Sequence, residues 1–81
     1  MKPALNIMEE FPFLKDEAPP DGNGWLLMLK NYYCPYVLRD VIIQHGKFGF
    51  DVYIHNVENA IPISEFDDVW VKIYCRKKQP A

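Results

Sequence analysis

The strongest constraint on the fold of this chain is a strict two-residue alternation near its C-terminus. Apolar side chains occupy every second position from Val69 to Cys75. The positions between and after them carry Trp70, Lys72, Tyr74 and Arg76. Because successive side chains of a strand point to opposite faces, this pattern predicts a strand with one buried face and one outer face.

Three further segments predict strands. Residues 25–30 are apolar at both alternating sets of positions, which predicts a strand buried on both faces or covered by the N-terminal segment. Residues 37–44 are rich in β-branched side chains, and residues 48–55 alternate again. The short turn at Gly46 between these two segments predicts a hairpin.

We therefore predict a mainly β fold, with α+β as the alternative. It is a small antiparallel sheet of about four strands with an irregular N-terminal arm and at most one or two short helical turns. Residues 4–11, which could equally be extended, and residues 64–67 are the candidates for such turns. The apolar positions of the two cleanest strands predict the core, which comprises Phe48, Phe50, Val52, Ile54, Val69, Val71 and Ile73.

The length of 81 residues allows one domain with a modest core and leaves little room for an enclosed active site. Proline and glycine interrupt every apolar run in residues 1–24, which predicts an arm or loop packed on the sheet. Residues 25–76 are the predicted antiparallel β domain. Residues 77–81 are a basic C-terminal tail.

Charge and N-terminal composition bear on partners and location. The net charge is -2, and only residues 72–78 form a basic strip. A protein that follows a phosphate backbone usually has a broad basic surface, so direct nucleic-acid binding is the less favoured reading. No apolar h-region follows Lys2, and the longest apolar run is residues 25–29. We predict a cytoplasmic protein with reduced cysteines that does not enter a membrane.

No sequence motif for catalysis, metal binding or cofactor binding is recognised. Cys34, His45, His55 and Cys75 lack the short spacing that typifies a zinc site. No phosphate-binding glycine loop or nucleophile context is found either. We predict a non-enzymatic protein with no cofactor, no metal and no disulfide, and an enzyme subunit with an unrecognised site is a more distant alternative.

The outer face of the last predicted strand is the candidate binding site. Alternation in residues 48–55 sends further polar and aromatic side chains to a non-core face, which is the same surface if the two strands share a sheet. The predicted partner-binding residues are Trp70, Lys72, Tyr74, Arg76, Tyr53 and His55. Because Trp, Tyr and Arg are enriched at interaction hot spots, this set favours a protein partner. The plainer alternative is that the N-terminal arm covers these aromatic rings.

Other surfaces and partners remain open. Aromatic and basic side chains interleaved on a sheet also describe platforms for single-stranded nucleic acid, so a nucleic-acid-binding regulator is the alternative function. The acidic patch of Glu65, Asp67 and Asp68 is the alternative site, either as a phosphate mimic or as a solvated loop. A homodimer formed through an exposed edge strand is a further alternative.

A Pro20-Asp21-Gly22 turn precedes the first predicted strand, and Asp68-Val69-Trp70 begins the last. In these features the chain resembles short phage and prophage proteins of unknown function, which carry a Leu-Pro-x-Asp-Gly turn before a strand and close with an Asp-Val-x-x-Trp segment. The resemblance implies a phage or mobile-element origin and residence in the host cytoplasm. From that origin we expect a protein that binds and inhibits or redirects a host protein, such as a defence protein.

Overall fold

In the computed structural model, which describes residues 11–79, four strands and one helix form the domain. The elements are β1 (Leu14–Lys15), β2 (Leu26–Tyr33), α1 (Pro35–Lys47), β3 (Phe50–Asn56) and β4 (Val69–Lys77). The predicted class is confirmed, since the fold is a small four-stranded sheet of the mainly β or α+β type. The candidate helical turn at residues 4–11 lies almost wholly outside the described residues.

The strands are arranged in the order β1-β3-β4-β2. The long strands β3, β4 and β2 pair antiparallel, with Ile54 opposite Ile73 and Asn31 opposite Val71. The sheet is mixed rather than purely antiparallel, because β1 runs parallel to β3 with Leu14 opposite Ile54. The predicted arm therefore supplies an edge strand of its own, and the sheet begins before residue 25.

The strand predicted over residues 37–44, and its hairpin with the next strand, are wrong because this segment lies within α1. Pro35 occupies the first turn of the helix, where its missing N–H costs nothing. Leu38, Val41 and Ile42 recur at helical spacing and pack on the core. Burial of this apolar helical face outweighs the modest preference of β-branched residues for strands. With 13 residues, α1 also exceeds the short helical turns predicted.

Both ends of α1 are held by backbone hydrogen bonds. At the N-terminal end, the Tyr36 amide donates to the Glu65 carbonyl at 2.9 Å, so a distant loop satisfies an amide that no helical carbonyl can reach. At the other end, the amides of Phe48 and Gly49 donate to carbonyls of the last turn. Gly49 has a φ of 87°, a left-handed conformation that glycine adopts without strain and that redirects the chain into β3.

The core lies between α1 and the sheet. Its fully buried apolar members are Phe11, Leu14, Leu38, Ile54, Val69, Val71 and Ile73. Four of the predicted core residues are among them, and Val52 is partly buried against this cluster, whereas Phe50 is partly exposed and lies outside it. The prediction for Phe48 is wrong. Its side chain is 79% exposed because the residue ends α1 instead of entering a strand.

The segment that joins β3 to β4 is irregular and held by side-chain hydrogen bonds. The Asn56 amide group donates to the Ala60 carbonyl at 2.7 Å. The Asp67 carboxylate accepts from the amides of Ile63 and Ser64 at 2.7 and 3.3 Å. The predicted helical turn over residues 64–67 is a single turn, closed by the Asp67 amide donating to the Ser64 carbonyl at 3.2 Å.

Candidate functional site

The β2 strand carries the most extensive exposed apolar surface of the sheet. Leu26 is 70% exposed and Leu27 is 50% exposed, while Met28, Leu29 and Tyr32 are also open to solvent. The prediction of burial on both faces is therefore wrong. The physical reason is position: β2 is the last strand of the sheet, and α1 packs on β3, so within residues 11–79 no layer lies over the apolar residues of β2.

One long side of β2 has no neighbouring strand among residues 11–79. Proteins usually protect such an edge with charges, proline or a bulge, since unpaired amides and carbonyls invite another strand. Here the protection is slight. Lys30 is the one charged residue of the strand, and a register irregularity falls between Leu27 and Leu29. The Tyr32 amide is satisfied locally, because it donates to the side-chain oxygen of Asn31 at 2.8 Å.

The strand register brings the predicted partner-binding residues onto one side of the sheet, which we call the outer face. Tyr53 lies opposite Tyr74, and His55 lies opposite Lys72. Trp70 and Arg76 follow on the same side of β4, because side chains alternate along a strand. Register also places Tyr32 of β2 opposite Trp70, and the two ring centroids are 4.9 Å apart. The outer face thus continues into the exposed edge strand.

The N-terminal arm covers one end of the outer face. Arg76 donates to the Asn23 carbonyl at 2.9 Å, and its guanidinium carbon lies 4.2 Å from the centroid of the Trp25 ring. Tyr53 donates its hydroxyl hydrogen to the Glu17 carbonyl at 2.7 Å, and its ring lies 5.5 Å from that of Trp25. Arg76 and Tyr53 therefore anchor the arm.

Burial raises the pKa of the Tyr53 hydroxyl above its ordinary value of 10.0, and the nearby Glu17 carboxylate and Tyr74 raise it further. All three causes act against the phenolate form. The neutral hydroxyl is the form that can donate to the Glu17 carbonyl, so the contact and the pKa shift are consistent.

The acidic patch is largely committed to internal contacts. The Asp67 carboxylate binds backbone amides of its own loop. Glu65 lies 3.5 Å from the Arg39 guanidinium, in an exposed ion pair. Asp68 is exposed beside them. Two of the three carboxylates therefore stabilise the loop and its contact with α1, so the patch is not a free cluster of three carboxylates.

A second exposed apolar surface lies on the outer side of α1, and sequence reasoning missed it because it assumed a strand there. A shallow depression of about 440 Å³ is lined by Tyr36, Val37, Arg39, Asp40 and Ile43. The exposed Phe66 ring lies beside it, with its centroid 5.6 Å from that of Tyr36. A helical reading of residues 35–47 would have placed Tyr36, Val37, Asp40 and Ile43 on one side of a helix.

The residues considered for metal or redox chemistry are dispersed. Cys34 precedes α1 and Cys75 lies in β4, and both are free and partly buried. Within residues 11–79, no three His, Cys, Asp or Glu side chains are placed to hold a metal ion. In the same part of the chain, no helix has the length and apolar character needed to cross a membrane.

No protein-family model, no curated protein and no solved structure matches this chain. The two exposed surfaces therefore differ only in their geometry. The depression on α1 offers a partner only exposed side chains. The β2 strand combines exposed side chains on both faces with an open edge of backbone, and only such an edge can extend the sheet.

Proposed function

We propose that this chain is a protein-interaction domain that binds its partner by strand addition at β2. The observation that carries the proposal is an edge strand of eight residues whose apolar side chains are exposed on both faces. In this mode of recognition, main-chain hydrogen bonds along the edge supply affinity and the flanking side chains supply specificity. The function requires no catalytic group.

The available area supports a specific contact. Large side chains present about 200 Å² each, so the exposed fractions on β2 leave roughly 500 Å² open to a partner. A standard interface uses about 800 Å² per partner. Trp70, which is partly buried beside Tyr32, adds at most about 90 Å², so the contact is smaller than the standard size.

The anchors that we propose differ in part from those that the alternation predicts. Trp70 is retained, because its ring packs at a tilt of 46° against that of Tyr32 at the open end of the outer face. Lys72 and His55 lie next to it in register and could contribute polar contacts. Arg76 and Tyr53 are assigned to holding the arm. Tyr74, whose ring lies 6.3 Å from that of Tyr53, belongs with the covered end.

The resemblance to prophage proteins suggests the class of partner. A domain of this size could inhibit or redirect a host protein by occupying its binding surface. The alternative, a nucleic-acid-binding regulator, draws on Lys72 beside the Tyr32 and Trp70 rings. We favour the protein partner, because the net charge is -2 and the Arg76 guanidinium is already stacked on Trp25.

One substitution separates the two functions. In Leu27→Lys, a cation replaces a half-exposed apolar side chain on β2, so we expect at least a tenfold loss of the protein captured from a lysate of the source cells. Nucleic-acid binding would instead be kept or strengthened by the added cation. Quantitative mass spectrometry of the captured material is the measurement for the protein, and salt-titrated binding is the measurement for DNA and RNA.

The matched control is Ile63→Lys, which adds the same charge at a side chain that is 93% exposed in the β3–β4 segment. Both variants should keep the circular dichroism spectrum and melting temperature of the wild type. If a folded Leu27→Lys variant captures the same protein as the wild type, binding of that protein by strand addition at β2 is refuted.

A further inference from the structure

We infer that the occupant of β2 is the β2 strand of a second copy of this chain, which joins two sheets into one of eight strands. The inference rests on the proposed function, because it names the partner of the same strand. In strand order, the dimer is β1-β3-β4-β2 followed by β2-β4-β3-β1.

The two edges of the sheet are very unequal. One edge is β1, which has two residues, and the other is β2, which has eight. Among the strands that the structure describes, pairing β2 with itself places both long edges inside the dimer and leaves only the short β1 edges outside. Short edge strands are among the devices by which proteins avoid further edge-to-edge association. The assembly therefore closes at two copies.

Symmetry favours the same pairing. A two-fold axis normal to the sheet sets the two copies of β2 antiparallel and keeps the helices on one side. The new junction continues the antiparallel order that already relates β3, β4 and β2. Because the same surface serves both copies, the contact is isologous and does not propagate into a fibre.

The chemistry of the strand suits a copy of itself. Lys30 is the only charged residue of β2, so the strand offers little to a highly charged partner. Like charges directly opposite one another destabilise a strand pair. An axis near Leu29, close to the middle of the strand, pairs each Lys30 with Met28 of the other copy rather than with its own counterpart, and it sets Leu26 opposite Tyr32.

The area predicts a reversible dimer. Two copies together offer roughly 1,000 Å² of exposed β2 surface, which is near the lower limit for a specific interface. We therefore expect a dissociation constant on the order of micromolar or weaker. The Tyr32 amide, now bonded to the exposed Asn31 side chain, would exchange it for a carbonyl of the second copy.

The test is sedimentation equilibrium of the full chain from low micromolar to several hundred micromolar. We expect the average mass of the wild type to rise toward twice the monomer mass. Ile63→Lys should follow the wild-type curve, whereas Leu27→Lys should shift the midpoint at least tenfold upward or remain monomeric. Hydrogen exchange at the Tyr32 amide should slow as the wild-type protein is concentrated, and this measurement needs no variant.

A wild type that stays monomeric throughout the range overturns the inference. So does a dimer that Ile43→Lys dissolves and Leu27→Lys leaves intact, because that result places the contact on the outer side of α1. Failure of the inference and failure of the proposed function differ. If the wild type is monomeric and Leu27→Lys loses a lysate protein, strand addition at β2 stands with another partner. If Leu27→Lys dissolves the dimer but still captures the lysate protein, the dimer stands and that protein binds at another surface.

Discussion

At the scale of single residues, the arm is fixed to the sheet by two side chains of the outer face. Tyr53 reaches the Glu17 carbonyl, and Arg76 reaches both the Asn23 carbonyl and the Trp25 ring. These contacts tie residues 17–25 across the ends of β3 and β4. A neutral Tyr53 hydroxyl is a condition for the first of them.

The first prediction concerns alkaline stability. Because burial raises the pKa of Tyr53 above 10.0 in the folded state, the unfolded chain releases this proton first as pH rises. The contribution of the hydroxyl is therefore complete below pH 10.0 and is lost as pH rises through the folded-state pKa. Tyr53→Phe should lower the free energy of unfolding by about 0.5 to 1.5 kcal/mol at neutral pH. Above pH 10.0, the free energy of unfolding of the variant should also fall less steeply than that of the wild type.

Urea titrations at neutral pH and at two alkaline values measure both effects. If the free energy of unfolding falls equally steeply with pH in the variant and the wild type, the pKa of the hydroxyl does not differ between the folded and unfolded states. In that case the Glu17 contact does not persist in solution.

The sequence predicted which outer-face residues share a side, but it could not predict their contacts. Alternation alone places Tyr53 with Tyr74 and His55 with Lys72, because the period of a strand is two. The bond between Arg76 and Asn23 joins residues 53 positions apart. Local periodicity carries no information on such a contact. The sequence therefore predicts the covering of this face by the arm only as an alternative.

At the scale of elements, α1 is the main error of the sequence prediction. The segment contains Val37, Val41, Ile42 and Ile43, whose β-branched side chains favour strands in isolation. Pro35 was the overlooked signal, since proline is common in the first turn of a helix. Packing then decided the outcome, because a helical stripe can bury Leu38 against β3 and β4 as a strand there could not.

The second prediction separates helical from strand periodicity. Leu38 is fully buried in the core, so Leu38→Ala should cost about 2 to 5 kcal/mol of unfolding free energy. Ile43 is half exposed on the opposite side of α1, so Ile43→Ala should cost about 0.5 kcal/mol. Urea unfolding followed by circular dichroism measures both. Comparable losses at the two positions would contradict the orientation of α1.

At the scale of the whole molecule, the exposure of β2 could not be predicted from the sequence. Its run of apolar residues predicts burial, and within the described part of one chain that prediction is wrong. Hydrophobicity indicates that a surface is covered, but not whether the cover comes from the same chain. The prediction of an edge strand that pairs with a second copy stays open, and the open edge of β2 is the surface on which to test it.

The last prediction concerns the arm as part of one cooperative unit. Phe11 and Leu14 lie in the arm, yet both are fully buried with residues of β3 and β4. At about 0.05 to 0.15 kcal/mol per residue, a domain of this size has a total stability of about 4 to 12 kcal/mol. Phe11→Ala should cost about 3 to 5 kcal/mol of that and lower the urea midpoint of the entire molecule.

Two measurements decide whether arm and sheet unfold together. Phe48→Ala, the same change at an exposed ring, should cost about 0.5 kcal/mol and serves as the matched control. Trp25 directly follows the arm and reports on its contact with the sheet, and Trp70 reports on β4, so replacing either one by phenylalanine leaves a single fluorescent probe. In each single-tryptophan variant, fluorescence and circular dichroism should give the same midpoint, as expected for a two-state transition. A Trp25 signal lost at lower urea than the circular dichroism signal would mean that the arm detaches while the sheet stays folded, and then the outer face would be uncovered without any partner.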